Sequence, residues 1–430
     1  MSADVKAPEA TSDFIGSGRE GGLRDQLNGW WQRVRTGDMG MLPAIGGFIV
    51  LVILFSFLPT LINGDGQQNF FTARNMANLL TQSAPLIMLG AALVFVLLLG
   101  EIDLSAAVTY GVAMDTFVVL VQPNGANVAW PLALLIALAI GFGIGFIIGF
   151  FVARIGVPSF VVTLGLFLGL QGVELLIIGA AGNYNVQIPE ILAIENSTLP
   201  DWAGWLVLVV ALGLTLMTSL LARAQRTKAG VPKGSITLLW VKLAAILVLG
   251  GAAVLLLSAN RGSAIHPISG LPVVVPIVLA LLWIGTFVLD RTPFGRHLYA
   301  TGGNQEAARR SGIKVTAVKW TAFIICSTLA VIAGLFAVSH QGSVDATLGK
   351  TDVLNGVAAA VVGGVSLFGG KGRLAQAAVG GLVITVITNG LGLIRSFPSG
   401  LNLLVTGGVL ILAASVDALS RLRSGGKLRR

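Results

Sequence analysis

Glu101 and Asp103 are the first residues whose chemistry stands out. They lie in Gly100-Glu101-Ile102-Asp103-Leu104-Ser105, between long apolar runs. Carboxylates in such a place can carry protons, hold an ion or bind a polyol. Equally, a turn at Gly100 can lift them to the water interface, where they only cap a helix opening at Leu104. Asp115, Glu174 and Asp417 also sit in or near apolar runs, but no histidine or second carboxylate lies three or four residues from any of them. None therefore reads as a proton relay or metal site. His266, His297 and His340 are scattered and form no triad. Gly349-Lys350-Thr351 has the end of a phosphate-binding loop without its beginning, because position 344 holds Val344. The single cysteine, Cys326, permits no disulfide within the chain and no Cys-ligated metal centre. These side chains point away from catalysis, and no enzyme activity, cofactor or metal is expected.

The scaffold that must position them is a membrane one. Charged residues make up 11% of the chain and hydrophobic ones 55%, with 56 glycines among 430 residues, whereas soluble domains are about 25% charged. The pattern predicts an all-α polytopic membrane protein. Twelve apolar runs can be marked between Met41 and Leu419, two of them short, at 104–121 and 353–368. With the N-terminus inside, the inner segments hold 22 Lys and Arg, and the outer loops hold only Arg74, Arg261, Lys350 and Arg395. That asymmetry places both termini in the cytoplasm. It also makes the net charge of +9 a matter of helix anchoring, not of nucleic-acid binding. Residues 1–40 read as a polar cytoplasmic tail without a signal peptide, with Trp30 and Trp31 at the interface. Residues 41–419 form the membrane domain and 420–430 a basic tail.

Glycine organises this domain. Gly141, Gly145 and Gly149 recur every four residues and so share one helix face, where they let backbones touch. Gly100, Glu101, Asp103, Ser105 and Thr109 in the first half have a weak counterpart in Gly363, Gly364, Ser366, Gly369 and Gly370 in the second. Paired Gly-interrupted segments are pointers to a transport path, so these ten residues are its candidate lining. Between the halves, residues 199–258 read as an inserted helix pair.

The remaining polar stretch, residues 290–314, is flanked by apolar runs and carries Arg291, Arg296, Arg309, Arg310 and Lys314. It contains a helix-prone piece from Gln305 to Arg310, closed by Gly312. A structured connector of this kind suits docking of another protein.

The sequence from Gly295 and Arg296 through Gly302, Gly303 and Asn304, then Glu306, Ala307, Ala308, Arg309 and Gly312, resembles the cytoplasmic loop by which permeases of ATP-binding-cassette importers contact their ATPase. The version is that of monosaccharide permeases of the ribose and xylose type. Three further stretches are similar to that family: Gly100 to Ser105, Gly156-Val157-Pro158-Ser159 onward to Gly165, and Ala358 to Gly372. Ala106-Ala107 and Phe368 depart from its usual pattern, while the inserted helix pair is similar to the xylose and multiple-monosaccharide branch. The resemblance implies a permease subunit for xylose or a related aldose in the inner membrane. It further implies a second permease chain, a cytoplasmic ATPase and an extracytoplasmic sugar-binding protein as partners, with membrane lipid around the helices. The competing readings are an ion-coupled sugar transporter using Glu101, Asp103 or Asp115, and a membrane scaffold without transport activity.

Overall fold

The computed structural model describes residues 41–64, 69–179, 182–228, 236–263, 267–395 and 398–423. Trp30, Trp31, Lys233, His266 and the end of the basic tail lie outside the described residues. The architecture is helical as expected, with one two-stranded ribbon. In order, the elements are α1 (Leu42–Asn63), α2 (Ala73–Leu97), α3 (Ala106–Val121), α4 (Trp130–Gly149, continued by a π-helical turn, Phe150–Ile155), α5 (Ser159–Ile178), β1 (Asn183–Asn185) and α6 (Pro189–Asn196). The chain goes on through α7 (Asp201–Lys228), α8 (Ile236–Leu257), α9 (Val274–Arg291), α10 (Pro293–Gly303), α11 (Gln305–Arg310), α12 (Val315–Gln341) and β2 (Ser343–Asp345). It ends with α13 (Asp352–Val362), α14 (Leu374–Gly392) and α15 (Ser399–Arg423). Among the described residues, Trp205–Ala253 form one compact unit and the rest another.

Each of the twelve expected apolar runs holds a helix, but they are not alike. Among the described residues nine helices are long and apolar enough to cross a bilayer: α1, α2, α4, α5, α7, α8, α9, α12 and α14. The 16 residues of α3 reach about 24 Å at 1.5 Å each. The run 353–368 differs from the expected span, because α13 stops at Val362 after 11 residues. Gly364 there takes φ 99°, a conformation that ends a helix and that a side chain disfavours. The remainder of the run continues as turns.

Within the larger unit, α12 is the hub, packing on α2, α3, α4 and the short α6. Glycine makes the α4–α12 approach possible. A Cβ at Gly141 would lie 2.5 Å from Val331, at Gly145 2.7 Å from the Ile324 backbone, and at Gly149 2.2 Å from the Trp320 ring. Gly143, off this face, meets nothing within 4 Å. The periodic glycines are thus packing residues, as their spacing predicts.

The ends of this unit are tied separately. At one end β1 and β2 pair antiparallel, with Tyr184 opposite Val344. The Asn63 amide donates to Leu393 O at 2.9 Å, and its oxygen accepts from Arg395 N–H at 2.9 Å. At the other end lie α10, α11 and the turns that follow α2 and α13.

Candidate functional site

The polar connector is built from two helices. Thr292 caps α10 by accepting from Gly295 N–H at 3.3 Å, and a Cβ at Gly295 would collide with Leu289 O at 2.0 Å. The Asn304 side chain caps α11, accepting from Ala307 N–H at 3.0 Å. Ala308 is buried, whereas Arg296, Gly303, Glu306, Ala307, Arg309 and Arg310 are exposed. Glu306 faces Arg309 at 3.7 Å and Arg310 at 3.3 Å. These are solvent-exposed pairs that stabilise little. The expected short helix from Gln305 to Arg310 is present, and α10 before it is additional.

One backbone device recurs three times. Gly312 takes φ 83°, its N–H donates to Arg309 O at 3.0 Å, and Ile313 N–H reaches back to Ala308 O at 3.1 Å. Gly100 at φ 74° does the same, with bonds of 2.9 Å to Leu97 O and, from Glu101, 3.1 Å to Val96 O. Gly364 repeats it, with 2.9 Å to Val361 O and, from Val365, 3.0 Å to Ala360 O. The weak repeat between Gly100 and Gly364 therefore has a shared backbone form.

These turns meet. Gly370 N–H donates to Leu98 O at 2.8 Å. A Cβ at Gly302 would lie 1.7 Å from Leu98 O and 2.8 Å from Gly370 N, and one at Gly369 would lie 2.8 Å from Gly100 N. Only glycine allows three backbones to approach this closely. The Tyr299 hydroxyl, on α10, donates to Gly372 O at 2.7 Å. Burial, and then the Asp290 carboxylate, push the Tyr299 phenol above its usual range, which keeps that donor protonated. Around the junction, Ile102 N–H donates to Ser159 Oγ at 3.3 Å and Ile102 O accepts from Thr163 Oγ at 3.2 Å. Glu101 pairs with Lys319 of α12 at 2.6 Å. The four stretches that carry the family resemblance are thus neighbours.

Asp103 is buried and ties the turn that opens α3. Its Oδ1 accepts from Ser105 N–H at 2.9 Å and Ser105 Oγ at 2.7 Å. Ser366, in the matching turn, donates its N–H to Lys371 O at 3.0 Å, and a Cβ at Gly363 would lie 1.8 Å from Gln376 O. Thr109 is buried further along α3. Asp115 on α3 and Glu174 on α5 are fully buried, and a Cβ at Gly111, one turn from Asp115, would lie 1.9 Å from Glu174 Oε1. Their proximity crosses two helices, so spacing along either one did not reveal it.

Among the described residues, none of the ten candidate path residues lines either of two polar cavities in this unit. The inner cavity, about 250 Å³, is lined by Gln82 on α2, Tyr110 on α3, His340 on α12, Asp352 and Asn355 on α13, and Thr385 and Thr388 on α14, among others. The Tyr110 hydroxyl donates to Asp352 Oδ2. A second cavity of about 550 Å³, toward the β1–β2 end, is lined by Arg74, Asn78, Thr81, Glu195, Asn196 and Arg261, and shares His340 with the first. The signal that could have found them is a small group of polar residues inside an otherwise apolar run, as at Thr81 to Ser83 and Thr385 to Asn389. Glu195 is 4% exposed, and burial pushes its carboxyl up to about 9.

Comparison with known proteins agrees with this arrangement. Residues 75–236 and 201–414 match the family described as branched-chain amino acid transport system / permease component. The chain is 32% identical over 404 residues to the xylose transport system permease protein XylH of Escherichia coli (strain K12), covering 92% of this chain and 96% of that protein. It is 29% identical over 374 residues to the ribose import permease protein RbsC of the same strain, covering 86% and 92%. A 151-residue stretch, 34% of this chain and 46% of the relative, is 41% identical to RbsC of Bacillus subtilis (strain 168). No solved structure matches. A polytopic helical scaffold, a glycine junction at the polar connector and identity running the length of a sugar permease belong together: this chain is a member of that family of transport-system permease components.

Proposed function

We propose that this chain is the membrane subunit of an ATP-driven importer for xylose or a related aldose. A cytoplasmic ATPase grips α10 and α11, an external binding protein delivers the sugar, and a second copy of the chain completes the membrane part. The excess of Lys and Arg on the inner segments supports a cytoplasmic position for α10 and α11. The names of the full-length relatives support the sugar class.

The observation that carries this reading is the glycine junction. The polar inner cavity is lined by α2, α13 and α14; α2 ends at the junction that α10 touches, and the turn between α13 and α14 completes it. A push on α10 therefore acts on the ends of elements whose other parts line the cavity. Packed elements answer such a push by moving as units, because tightly packed interiors transmit strain. An ion-coupled transporter would need a carboxylate open to the path. Glu101 is paired with Lys319, Asp103 is engaged by Ser105, and Asp115 is fully buried.

Proteoliposomes containing the permease, its ATPase and its binding protein test the reading. Uptake of D-xylose is expected to require ATP and all three components. Uptake driven by a proton or sodium gradient alone would overturn it.

A further inference from the structure

The larger cavity has a chemistry that an importer of this kind does not require. Both of its arginines are turned to backbone carbonyls. Arg74 donates to Arg261 O at 2.9 and 3.3 Å, and Arg261 donates to Leu257 O and Gly270 O at 2.9 Å each. Those bonds hold both side chains against the backbone that frames the cavity. Among the described residues no cluster of three His, Cys, Asp or Glu gathers to hold a metal.

Glu195 stands in the opposite wall, and its placement is firm. Its N–H donates to Ser339 Oγ at 3.0 Å, and the neighbouring Asn196 amide donates to Ser339 O at 2.8 Å. Yet neither of its carboxyl oxygens has a hydrogen-bond partner among the described residues, although the residue is nearly fully buried. Burial keeps the group protonated at neutral pH. It then offers one O–H donor and one carbonyl acceptor. A buried polar group left unmatched is costly, and an uncharged ligand with adjacent hydroxyls satisfies both halves at once. His340 is common to both cavities, so a solute moving between them passes it.

We propose that Glu195, with His340 and the Asn78 and Thr81 wall, forms a binding station for an uncharged polyhydroxylated ligand, so that the membrane subunit itself reads the sugar. This inference rests on the importer reading and deepens it.

The test uses the whole permease in lipid nanodiscs, without ATPase or binding protein, and saturation-transfer NMR with D-xylose, D-ribose and D-glucose as probes. At least one probe is expected to bind wild type and Glu195→Gln, with Glu195→Ala weakened about tenfold, the effect of one buried hydrogen bond. Asn78→Ala, at an exposed helix position on α2, is expected to weaken binding several-fold without disturbing α6, and it decides the matter if Glu195→Ala fails to fold. Absence of binding by every probe, unchanged binding in Glu195→Ala and Asn78→Ala, or equal loss in Glu195→Gln and Glu195→Ala would each overturn the station. ATP-driven uptake in the reconstituted complex separates the two claims. Normal uptake with an indifferent Glu195 sinks the station alone, whereas probe binding without any ATP-driven uptake sinks the importer alone.

Discussion

At the scale of single residues, Glu195 and Glu101 show how position decides what a carboxylate does. Glu101 meets Lys319 at 2.6 Å and is held as half of an ion pair. Among the described residues Glu195 forms no ion pair, and burial lifts it to about 9 from an ordinary value of 4.5. The consequence for stability has a definite sign. Below pH 4.5 the group is protonated in both the folded and unfolded chain and adds no pH dependence. Between 4.5 and about 9 the unfolded chain gives up the proton while the folded one keeps it. Stability therefore falls as pH rises through that window, by at most about 1.4 kcal/mol per pH unit from this group. Thermal unfolding of the purified protein between pH 5 and 9 is expected to show a steeper decline for wild type than for Glu195→Gln. Parallel curves for the two would mean that the carboxyl is ionised, with a partner supplied from elsewhere.

At the scale of elements, the sequence was legible wherever one helix suffices to carry the signal. Apolar runs marked the helices, Gly312 marked the end of α11, and the four-residue glycine period marked the buried face of α4. The period identifies a face because residues four apart stack along a helix. That face gives a sharp prediction: Gly145→Leu must push α12 away, since even a Cβ there lies 2.7 Å from the Ile324 backbone, while Gly143→Leu enters open space. The first is expected to cost about 1–3 kcal/mol or more and the second little, as measured by thermal unfolding in detergent. Equal losses would mean that α4 does not seat on α12 through this face. Less was legible where the signal is shared between elements. The helix α10 was not singled out, because Gly302 and Gly303 are poor helix formers in isolation. The cavities escaped notice because their lining is drawn from residues 74 to 388, a few from each of several helices. The run 353–368 looked like a span by composition, and only the Gly364 turn reveals that the helix ends early.

At the scale of the whole molecule, the glycine motifs and the polar cavities occupy different places. The motifs sit where helix ends meet the connector, while the polar cavities lie deeper, between the helices that those ends terminate. We propose that Gly100, Gly302, Gly369 and Gly370 transmit movement of the connector, and that residues such as Gln82, Asn355 and Thr385 meet the solute. The two roles can be separated at adjacent positions. An alanine at Gly302 would drive its Cβ to 1.7 Å from Leu98 O, forcing α10 off the end of α2, whereas a Cβ at Gly303 meets nothing within 4 Å. If the connector drives the cavity through this contact, Gly302→Ala is expected to cut ATP-dependent sugar uptake at least tenfold, in keeping with the steep penalty for misplacing a coupled element by about 1 Å. Binding of the ATPase, which would grip the exposed Arg296, Glu306 and Arg309 side of the connector, should change little, and Gly303→Ala should import normally. Copurification of the ATPase and uptake in proteoliposomes, measured on the same preparations, give the answer. Normal uptake by Gly302→Ala would show that force reaches the cavity by another route, and loss of ATPase binding in that variant would make the junction a docking surface instead of a transmission.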